Sequence, residues 1–295
     1  MEVLTFNQLI EASGLDPARV LVFRHRPYEA RLNKIFDWIV AERRDLFECY
    51  QSTHAPNTEA ALGRASHVAS FIRYKPKQAL FVGLYELTGT NRVLTPTECL
   101  ARPLHQELMA LGMSGLKATD NRVGLVEFGL KSSEWQEQWS GKLVIDWPGL
   151  ERSWYRWLDR NIFPIAAIAE ESRFKAPLPL WSDIALDWHQ LAILPSDWRA
   201  ALSQWRGIYL IIDQSDGLQY VGSAYGAANI MQRWSEYARS GHGGNKWLRP
   251  RDANNFRFSI LQRVSPDLPD AEVIALENSW KERLRSRTPF GLNEN

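Results

Sequence analysis

Residues 207–222 read GIYLIIDQSDGLQYVG, in which two apolar runs of strand character flank the turn signal Ser215-Asp216-Gly217. This pattern predicts a β-hairpin with strands over residues 207–212 and 218–222. Downstream, the sequence predicts a helix over residues 229–240, a third strand over 255–262 and a last helix over 270–287. These elements account for most of the chain beyond residue 205.

Side chains of types that take part in catalysis follow one another along these elements. Arg233 and Tyr237 are four residues apart, so they share one face of the predicted helix. The ordered set consists of Tyr209, Tyr220, Arg233, Tyr237, Glu277 and Asn293. This order resembles the GIY-YIG nuclease family over residues 205–295. The resemblance implies a small α/β domain, with a three-stranded antiparallel sheet flanked by helices, that hydrolyses phosphodiester bonds.

The chemistry of hydrolysis explains why such residues would be required. A phosphodiesterase must deprotonate a water, relieve charge on the phosphoryl oxygens and assist the leaving oxygen. Glu277 offers a carboxylate oxygen to Mg²⁺ or Mn²⁺, a hard cation that commonly takes one or two protein carboxylates and keeps several waters. Arg233 offers a planar fork of donors to the scissile phosphate.

The resemblance assigns the remaining roles. It implies that Tyr209 activates or orients the attacking water, that Tyr220 and Tyr237 complete its hydrogen-bond network, and that Asn293 belongs to the same site. An unperturbed phenol has a pKa of about 10 and is a weak base at neutral pH. We therefore expect neighbouring cations or a metal to lower that pKa. Which tyrosine accepts the proton is left open at this stage.

The sequence departs from the simplest family pattern in two places. Ser223 follows the second strand where several relatives carry a lysine, which puts a base role at this position in doubt. The loop over residues 240–246, SGHGGNK, contains His242, which is a candidate proton carrier or phosphate contact or else an ordinary surface residue. This loop does not match a nucleoside-triphosphate-binding motif.

The first 172 residues contain short strand-like runs separated by turn residues and one or two helices. They predict a β-rich, barrel-like domain, so that the whole chain is of the α+β class. Residues 173–204, with Pro177 and Pro179 near their start, predict a linker with short helices. Residues 79–87, 143–147 and 152–157 faintly resemble the PUA/EVE-type barrels that bind modified bases.

Recognition of a flipped base requires aromatic faces for stacking and polar groups for the base edge. The candidate base-sensing residues are Tyr50, Phe71, Tyr85, Asp146 and Trp147. Further candidates are Tyr74, Trp154 and Trp157 for stacking and His54 and Arg73 for reading. The alternative for each aromatic residue is ordinary core packing.

Composition limits the class of protein. The 295 residues are 45% hydrophobic and 23% charged, which excludes a disordered chain, and 13 of them are tryptophan. A net charge of +1 requires any polyanion to be bound by a local patch. The two cysteines, Cys49 and Cys99, form no CxxC pair, which argues against a disulfide framework or a cysteine zinc site. With no signal peptide or membrane span expected, a cytoplasmic location is predicted.

These observations predict a DNA endonuclease dependent on Mg²⁺ or Mn²⁺. We expect a modification-dependent restriction enzyme in antiviral defence, acting on double-stranded DNA with a modified cytosine and dimerising for double-strand cleavage. One alternative is a repair or mobile-element nuclease of the same family, and another is a catalytically inactive DNA-binding module. No small-molecule cofactor fingerprint is present in the sequence.

Overall fold

The computed structural model describes residues 3–114, 123–149, 153–174, 177–227 and 229–294. The chain divides into two compact units, Met1–Ala176 and Pro177–Asn295, called here the N-terminal and C-terminal units. No helix in the described ranges is both long and apolar enough to cross a membrane.

The N-terminal unit is built around a large sheet. Its strands are β1 (Val20–His25), β2 (His67–Arg73), β3 (Gln78–Leu87), β4 (Arg92–Leu94), β5 (Leu125–Glu127), β6 (Leu130–Ser132), β7 (Leu143–Asp146), β8 (Tyr155–Trp157) and β9 (Ile165–Ile168). Its helices are α1 (Phe6–Ala12), α2 (Ala30–Glu42), α3 (Arg44–Tyr50), α4 (Pro56–Leu62), α5 (Pro96–Ala101) and α6 (Pro103–Ala110).

Seven of the described strands form one sheet in the order β8-β1-β2-β3-β7-β9, with β6 also paired to β3. β1 and β2 are parallel, whereas the other pairs are antiparallel. The sheet is curled into a half-barrel. The predicted β-rich, barrel-like domain is therefore an open half-barrel that also carries several helices.

Both faces of this sheet are covered, which determines where its aromatic residues lie. On one face Phe6 of α1 packs against Phe71 and Phe81, with ring centroids 5.2 and 5.9 Å apart. On the other face Phe47 of α3 packs against His25 of β1, at 5.2 Å. A sheet covered on both sides needs nearly continuous apolar strands, as in the buried stretch of β3.

Three of the five candidate base-sensing residues lie inside this core. Phe71 and Tyr85 are fully buried, and Trp147 is 3% exposed and packs 5.6 Å from Phe163. Their ring faces contact protein and are not accessible to a base. Asp146 is exposed at the end of β7, where its carboxylate accepts a hydrogen bond from Gln78. Tyr50 lines a cavity of the N-terminal unit, which is described below.

The C-terminal unit contains strands β10 (Ala185–Asp187), β11 (Arg206–Asp213), β12 (Gln219–Ala224) and β13 (Phe256–Val264). Its helices are α7 (Trp188–Leu191), α8 (Ser196–Gln204), α9 (Asn229–Ser240) and α10 (Asp270–Arg283). The described strands form an antiparallel sheet in the order β10-β13-β11-β12.

The sheet thus has four strands, and the three-stranded sheet expected from the resemblance is corrected. The additional strand comes from the segment predicted to be a linker: Ala185 pairs with Ser259 and Asp187 with Arg257 on β13. This pairing covers the outer edge of β13, whose other edge binds β11.

Helices pack on opposite faces of this sheet. Val273 of α10 packs against Ile208, Leu210 and Val221 on one face. On the other face Trp234 of α9 packs against Phe258, with ring centroids 5.8 Å apart. β12 is the terminal strand, so side chains from both helices can approach one another past its free edge.

Candidate active site

Two tyrosines stand on the same face of the β11–β12 hairpin. Tyr209 lies opposite Gly222, and Tyr220 lies opposite Ile211, so the two tyrosines are diagonal neighbours and not a direct pair. Because residues i and i+2 of a strand share a face, both rings project to the side of α9. Their centroids are 6.5 Å apart.

Glycine is required at position 222 by this arrangement. A Cβ built there would lie 2.4 Å from the Tyr209 hydroxyl oxygen and 2.5 Å from its ring carbon Cζ. The Tyr209 ring therefore crosses β12 at a point where no larger residue fits. This explains why a strand tyrosine and the final glycine of the YVG triplet occur together.

Helix α9 supplies the next two residues because its sequence is amphipathic. Ile230, Trp234 and Tyr237 form its buried stripe at helical spacing. The Tyr237 hydroxyl is 3.1 Å from that of Tyr209, and the pair forms a buried hydrogen bond. One turn earlier, the Arg233 guanidinium lies over the Tyr237 ring, with its Cζ atom 5.8 Å from the centroid.

Charge is unevenly distributed over this cluster. Burial alone would lower the pKa of Arg233, but the phenol groups of Tyr209 and Tyr237 and the Glu236 carboxylate outweigh it and raise the pKa. Glu236 also forms an ion pair with Arg233. The guanidinium is therefore a permanent positive charge in a half-buried position.

The phenol of Tyr209 behaves differently from the expectation. Burial raises its pKa, Tyr220 raises it further, and the opposing effect of Arg233 is smaller. The pKa of Tyr237 is also raised, with burial as the main cause. The protein side chains thus do not lower the phenol pKa, and both hydroxyls carry their protons at neutral pH in this arrangement.

Glu277 approaches from the opposite helix, α10. Its Oε1 atom is 2.6 Å from the ammonium nitrogen of Lys281, one turn later. Its other oxygen accepts a hydrogen bond from the Ser223 hydroxyl on β12. The ion pair with Lys281, of the kind common between residues four apart on a helix, therefore coexists with a place in the site.

These side chains line one polar cavity of about 340 Å³ in the C-terminal unit. Its lining consists of Tyr209, Tyr220, Ser223, Tyr225, Gly226, Asn229, Gln232, Arg233, Glu236 and Glu277. The cavity brings together an arginine, two carboxylates and three phenols, groups that can bind a phosphate, a cation and a water respectively. Tyr237 does not line the cavity, but its hydroxyl is hydrogen-bonded to the hydroxyl of Tyr209.

Several of these lining residues were not predicted from the sequence. Gln232 and Glu236 lie near Arg233 on α9. The sequence could have indicated Glu236, because a carboxylate three residues from an arginine on the same helix can form an ion pair with it. Tyr225 comes from the stretch between β12 and α9, where the sequence gives no periodic pattern, and Asn229 is the first residue of α9.

His242 is not part of the cavity lining. It lies in the loop after α9, where its Nδ1 atom accepts a hydrogen bond from the Gly244 amide at 3.0 Å. The neighbouring Gly243 has a φ of +55°, and a Cβ at this residue would lie 2.5 Å from the Tyr237 ring. The glycines of this loop therefore allow the backbone to pack directly on Tyr237.

Asn293 also lies outside the cavity, and its contacts are structural. It is 2% exposed, donates from Nδ2 to the Val221 carbonyl at 2.7 Å and accepts from the Val221 amide at 2.9 Å. Its oxygen accepts a further hydrogen bond from the Ser286 hydroxyl. The carboxamide thus satisfies both backbone groups of Val221 on the free edge of β12.

Replacing Asn293 with alanine is expected to lower the free energy of unfolding of the C-terminal unit by about 2–3 kcal/mol, because the buried Val221 and Ser286 groups lose their partner. Chemical denaturation followed by tryptophan fluorescence measures this loss. The matched control is Asn278→Ala at an exposed position of α10, where the side chain accepts a hydrogen bond from Arg287 at the surface and about 0.5 kcal/mol or less is expected. Equal stabilities of the two variants would contradict the structural assignment.

Glu277 was also predicted to hold a metal. Within the described residues, no group of three or more His, Cys, Asp or Glu side chains is placed to hold an ion. The cavity nevertheless offers the Glu277 carboxylate beside room for solvent, while the second lining carboxylate, Glu236, is paired with Arg233. Mg²⁺ commonly uses one or two carboxylates and keeps several waters. The residues present therefore fit a weakly ligated divalent cation, for which Lys281 is the competing cation at Glu277.

Comparison with known proteins agrees with these observations. The family model described as the GIY-YIG catalytic domain matches residues 206–293. A solved structure of the catalytic domain of the homing endonuclease I-TevI is 26% identical, covers 30% of this chain and 98% of its own, and has a TM-score of 0.26. A point mutant of the same intron endonuclease domain is 26% identical, covers 30% and 92%, and has a TM-score of 0.25. Because both scores are below 0.5, the assignment depends on the family match. A search of curated proteins gave no match.

Proposed function

Because residues 206–293 are a GIY-YIG catalytic domain of the endodeoxyribonuclease class, we propose that this chain is a restriction endonuclease that depends on a divalent metal and acts on modified DNA. The observation that carries the proposal is the meeting of Tyr209, Tyr220, Arg233 and Glu277 around one cavity. A catalytically inactive binding module is disfavoured because it would not need these groups to converge.

The arrangement supports the following division of labour. Arg233, charged at every physiological pH, binds a non-bridging oxygen of the scissile phosphate through its donor fork. Tyr209 keeps its proton and holds the attacking water by a hydrogen bond, while its contact with Tyr237 fixes the direction of its hydroxyl. Tyr220, on the same face of the hairpin, bounds the space for that water.

Glu277 is the proposed metal ligand. The Ser223 hydroxyl fixes its carboxylate, and Lys281 neutralises it while no cation is bound. A divalent cation held by Glu277 would relieve charge on the phosphoryl oxygens and would make the attacking water easier to deprotonate. Because Tyr209 has a raised pKa, the phenol is assigned to orienting the water and not to taking its proton.

The restriction role depends on the N-terminal unit choosing the DNA. That unit has its own half-barrel sheet and its own hydrophobic core, as expected for an independent recognition module. Its fold is compatible with the proposed likeness to base-binding barrels. We propose double-stranded DNA with a modified cytosine as the substrate and a pair of chains for cleavage of both strands.

Digestion of phage DNAs tests this proposal. DNAs that contain cytosine, methylcytosine, hydroxymethylcytosine or glucosylated hydroxymethylcytosine are incubated with the full chain and Mg²⁺, beside unmodified branched and nicked duplexes. Preferential cutting of one modified DNA supports the restriction role. Equal cutting of all linear DNAs, or preference for the branched substrates, would instead favour the repair or mobile-element alternative.

Removal of divalent cations is expected to stop cleavage completely. The physical reason is that the cavity lining contains two carboxylates, Glu236 and Glu277, and one permanent cation, Arg233, which is too little positive charge for a phosphoryl group in its transition state. Cleavage is measured after dialysis against EDTA and again after addition of Mg²⁺, Mn²⁺ or Ca²⁺. Undiminished activity in EDTA would refute the metal dependence.

A further inference from the structure

A second cavity lies entirely within the N-terminal unit and belongs to no part of the nuclease site. Its volume is about 380 Å³, within the range of roughly 300–1,000 Å³ typical of small-molecule sites. We call it the His25 cavity, and its lining includes His25, Tyr50, His54, Ala55, His105 and Trp154. We propose that it binds an uncharged nucleobase, stacked on its aromatic wall and hydrogen-bonded by His25.

The strongest pointer to a ligand is His25 itself. It is the last residue of β1, is 3% exposed, and its Nε2 atom has no hydrogen-bond partner among the residues that the structure describes. A buried polar atom without a partner costs about 1–3 kcal/mol, so most buried polar atoms in proteins are paired and an unpaired one calls for an explanation. A ligand with a hydrogen-bonding edge would satisfy it.

His105, another histidine of the same wall, shows how an ordinary buried imidazole is satisfied. Its Nδ1 atom contacts the Cys49 sulfur and its Nε2 atom contacts the Cys99 sulfur, each at 3.2 Å. Both ring nitrogens are thus occupied by thiols from different elements. His25 lacks such a contact at Nε2, which distinguishes it as the side chain that can read a ligand.

Aromatic rings beside His25 are held in place by one another. His54 and Trp154 are stacked, with centroids 5.5 Å apart and planes inclined by 29°. Tyr50 packs 4.8 Å from Phe36 and 5.7 Å from His25. A flat heterocycle entering the cavity would therefore meet rings whose orientation is already fixed, which reduces the entropy cost of binding.

Electrostatics selects an uncharged ligand. Burial lowers the pKa of His25 to about 3, His54 lowers it further and a side-chain hydrogen bond with Gln51 opposes them, so the imidazole is neutral at physiological pH. Burial also lowers the pKa of His54. Neutral imidazoles donate or accept hydrogen bonds without attracting phosphate. The chemistry at these two imidazoles thus fits the base and not the phosphate of a nucleotide, and the charged residues of the lining are Arg26 and Glu29.

This inference rests on the proposed function and deepens it, because it names the residues that would read the base. The ligand chemistry has two possible sources, a base rotated out of duplex DNA and a free nucleoside. Exposed Arg26 and Tyr28 also line the cavity, so it opens to solvent where either could enter.

The test uses the full chain with Glu277→Ala, so that DNA is bound without being cut. Ala55→Trp fills the cavity from an exposed position at the start of α4, and His25→Phe removes the reading nitrogen while keeping a ring. His67→Gln, on neighbouring β2 and outside the cavity lining, is the matched control. Thermal melting establishes that each variant is folded.

Binding is measured with duplexes that contain each cytosine modification, with the corresponding free nucleosides, and with duplexes that carry 2-aminopurine beside the modified base. We expect Ala55→Trp and His25→Phe to weaken binding of the preferred ligand at least tenfold, and His67→Gln to leave it unchanged. A rise in 2-aminopurine fluorescence identifies a flipped base as the source, and nucleoside binding without that rise identifies the free nucleoside.

Unchanged affinity of folded Ala55→Trp for every duplex and nucleoside would overturn the assignment. The failure of the proposed function is seen separately, in the cleavage assay of the chain with Glu277 intact. If that chain cuts modified DNA while Ala55→Trp has no effect on selectivity, the cavity proposal alone fails. If the chain cuts no DNA but the cavity variants lose nucleobase binding, the restriction role alone fails.

Discussion

Glu277→Ala will reduce DNA cleavage by at least about a thousandfold, the largest effect expected of any single substitution in this chain. The carboxylate is the acidic group that reaches the cavity from α10, and it is the proposed ligand of the catalytic cation. Its removal leaves Ser223 and Lys281 without their shared acceptor, but neither group can replace a carboxylate as a metal ligand.

The fold is expected to survive this substitution. Glu277 is half-buried and forms no part of the apolar contacts of α10, so its loss should lower the free energy of unfolding by about 1 kcal/mol or less. DNA binding, measured by gel shift in Ca²⁺, should stay within about threefold. Glu272→Ala, at an exposed position in the first turn of the same helix, is the control and should cleave normally. Cleavage by Glu277→Ala within tenfold of the unsubstituted chain would remove this residue from the site.

Arg233→Ala is expected to lower the cleavage rate by about a thousandfold, because it removes the permanent positive charge that stabilises the transition state. The loss also leaves the Glu236 carboxylate without its ion pair at the cavity wall, where it would repel the phosphate. Arg233→Lys keeps the charge but loses the planar fork, so an intermediate defect of about a hundredfold is expected.

Single-turnover kinetics separate the effect of Arg233 on chemistry from its effect on binding. The control is Arg239→Ala in the last turn of α9, outside the cavity lining, for which at most a small loss of affinity is expected. If Arg239→Ala and Arg233→Ala were equally impaired, the role of Arg233 would be general attraction of DNA and not contact with the scissile phosphate.

The elements of the C-terminal unit were predictable because their signals are local. The apolar runs, the Ser215-Asp216-Gly217 turn and the amphipathic period of α9 each lie within about a dozen residues. β10 was missed because a strand of only three residues has no periodicity of its own and is determined by pairing with β13.

In the N-terminal unit, helix α5 was also missed. Its start has signals that can be read from the sequence, because Thr95 and Glu98 form a capping box and Pro96 is the first residue of the helix.

For the candidate site, the sequence indicated which residues come together better than it indicated what each of them does. Tyr209, Arg233 and Glu277 were selected from the order of residues, and the structure brings them to one cavity. The place of Asn293 depends on backbone atoms of Val221, 72 residues earlier, which no local pattern can reveal. The raised pKa of Tyr209 depends on complete burial, which a strand pattern does not distinguish from partial burial.

The base-sensing residues of the N-terminal unit were difficult to predict for the same reason, because the sequence does not show how deeply a given side chain is buried. Tyrosine, tryptophan and phenylalanine serve in cores and in binding sites alike, so composition alone did not separate Phe71 and Trp147 from Trp154. The distinction came from which rings pack against the sheet core and which line a cavity.

The pairing of β10 with β13 has a practical consequence for dissection of the chain. A shortened protein that begins at residue 205, where the family pattern begins, would strip Ala185–Asp187 from the sheet and leave the backbone donors and acceptors of β13 open along that side. Uncovered strands of this kind recruit other copies and precipitate. The smallest well-behaved nuclease fragment should therefore begin near Pro177, almost thirty residues before the matched domain.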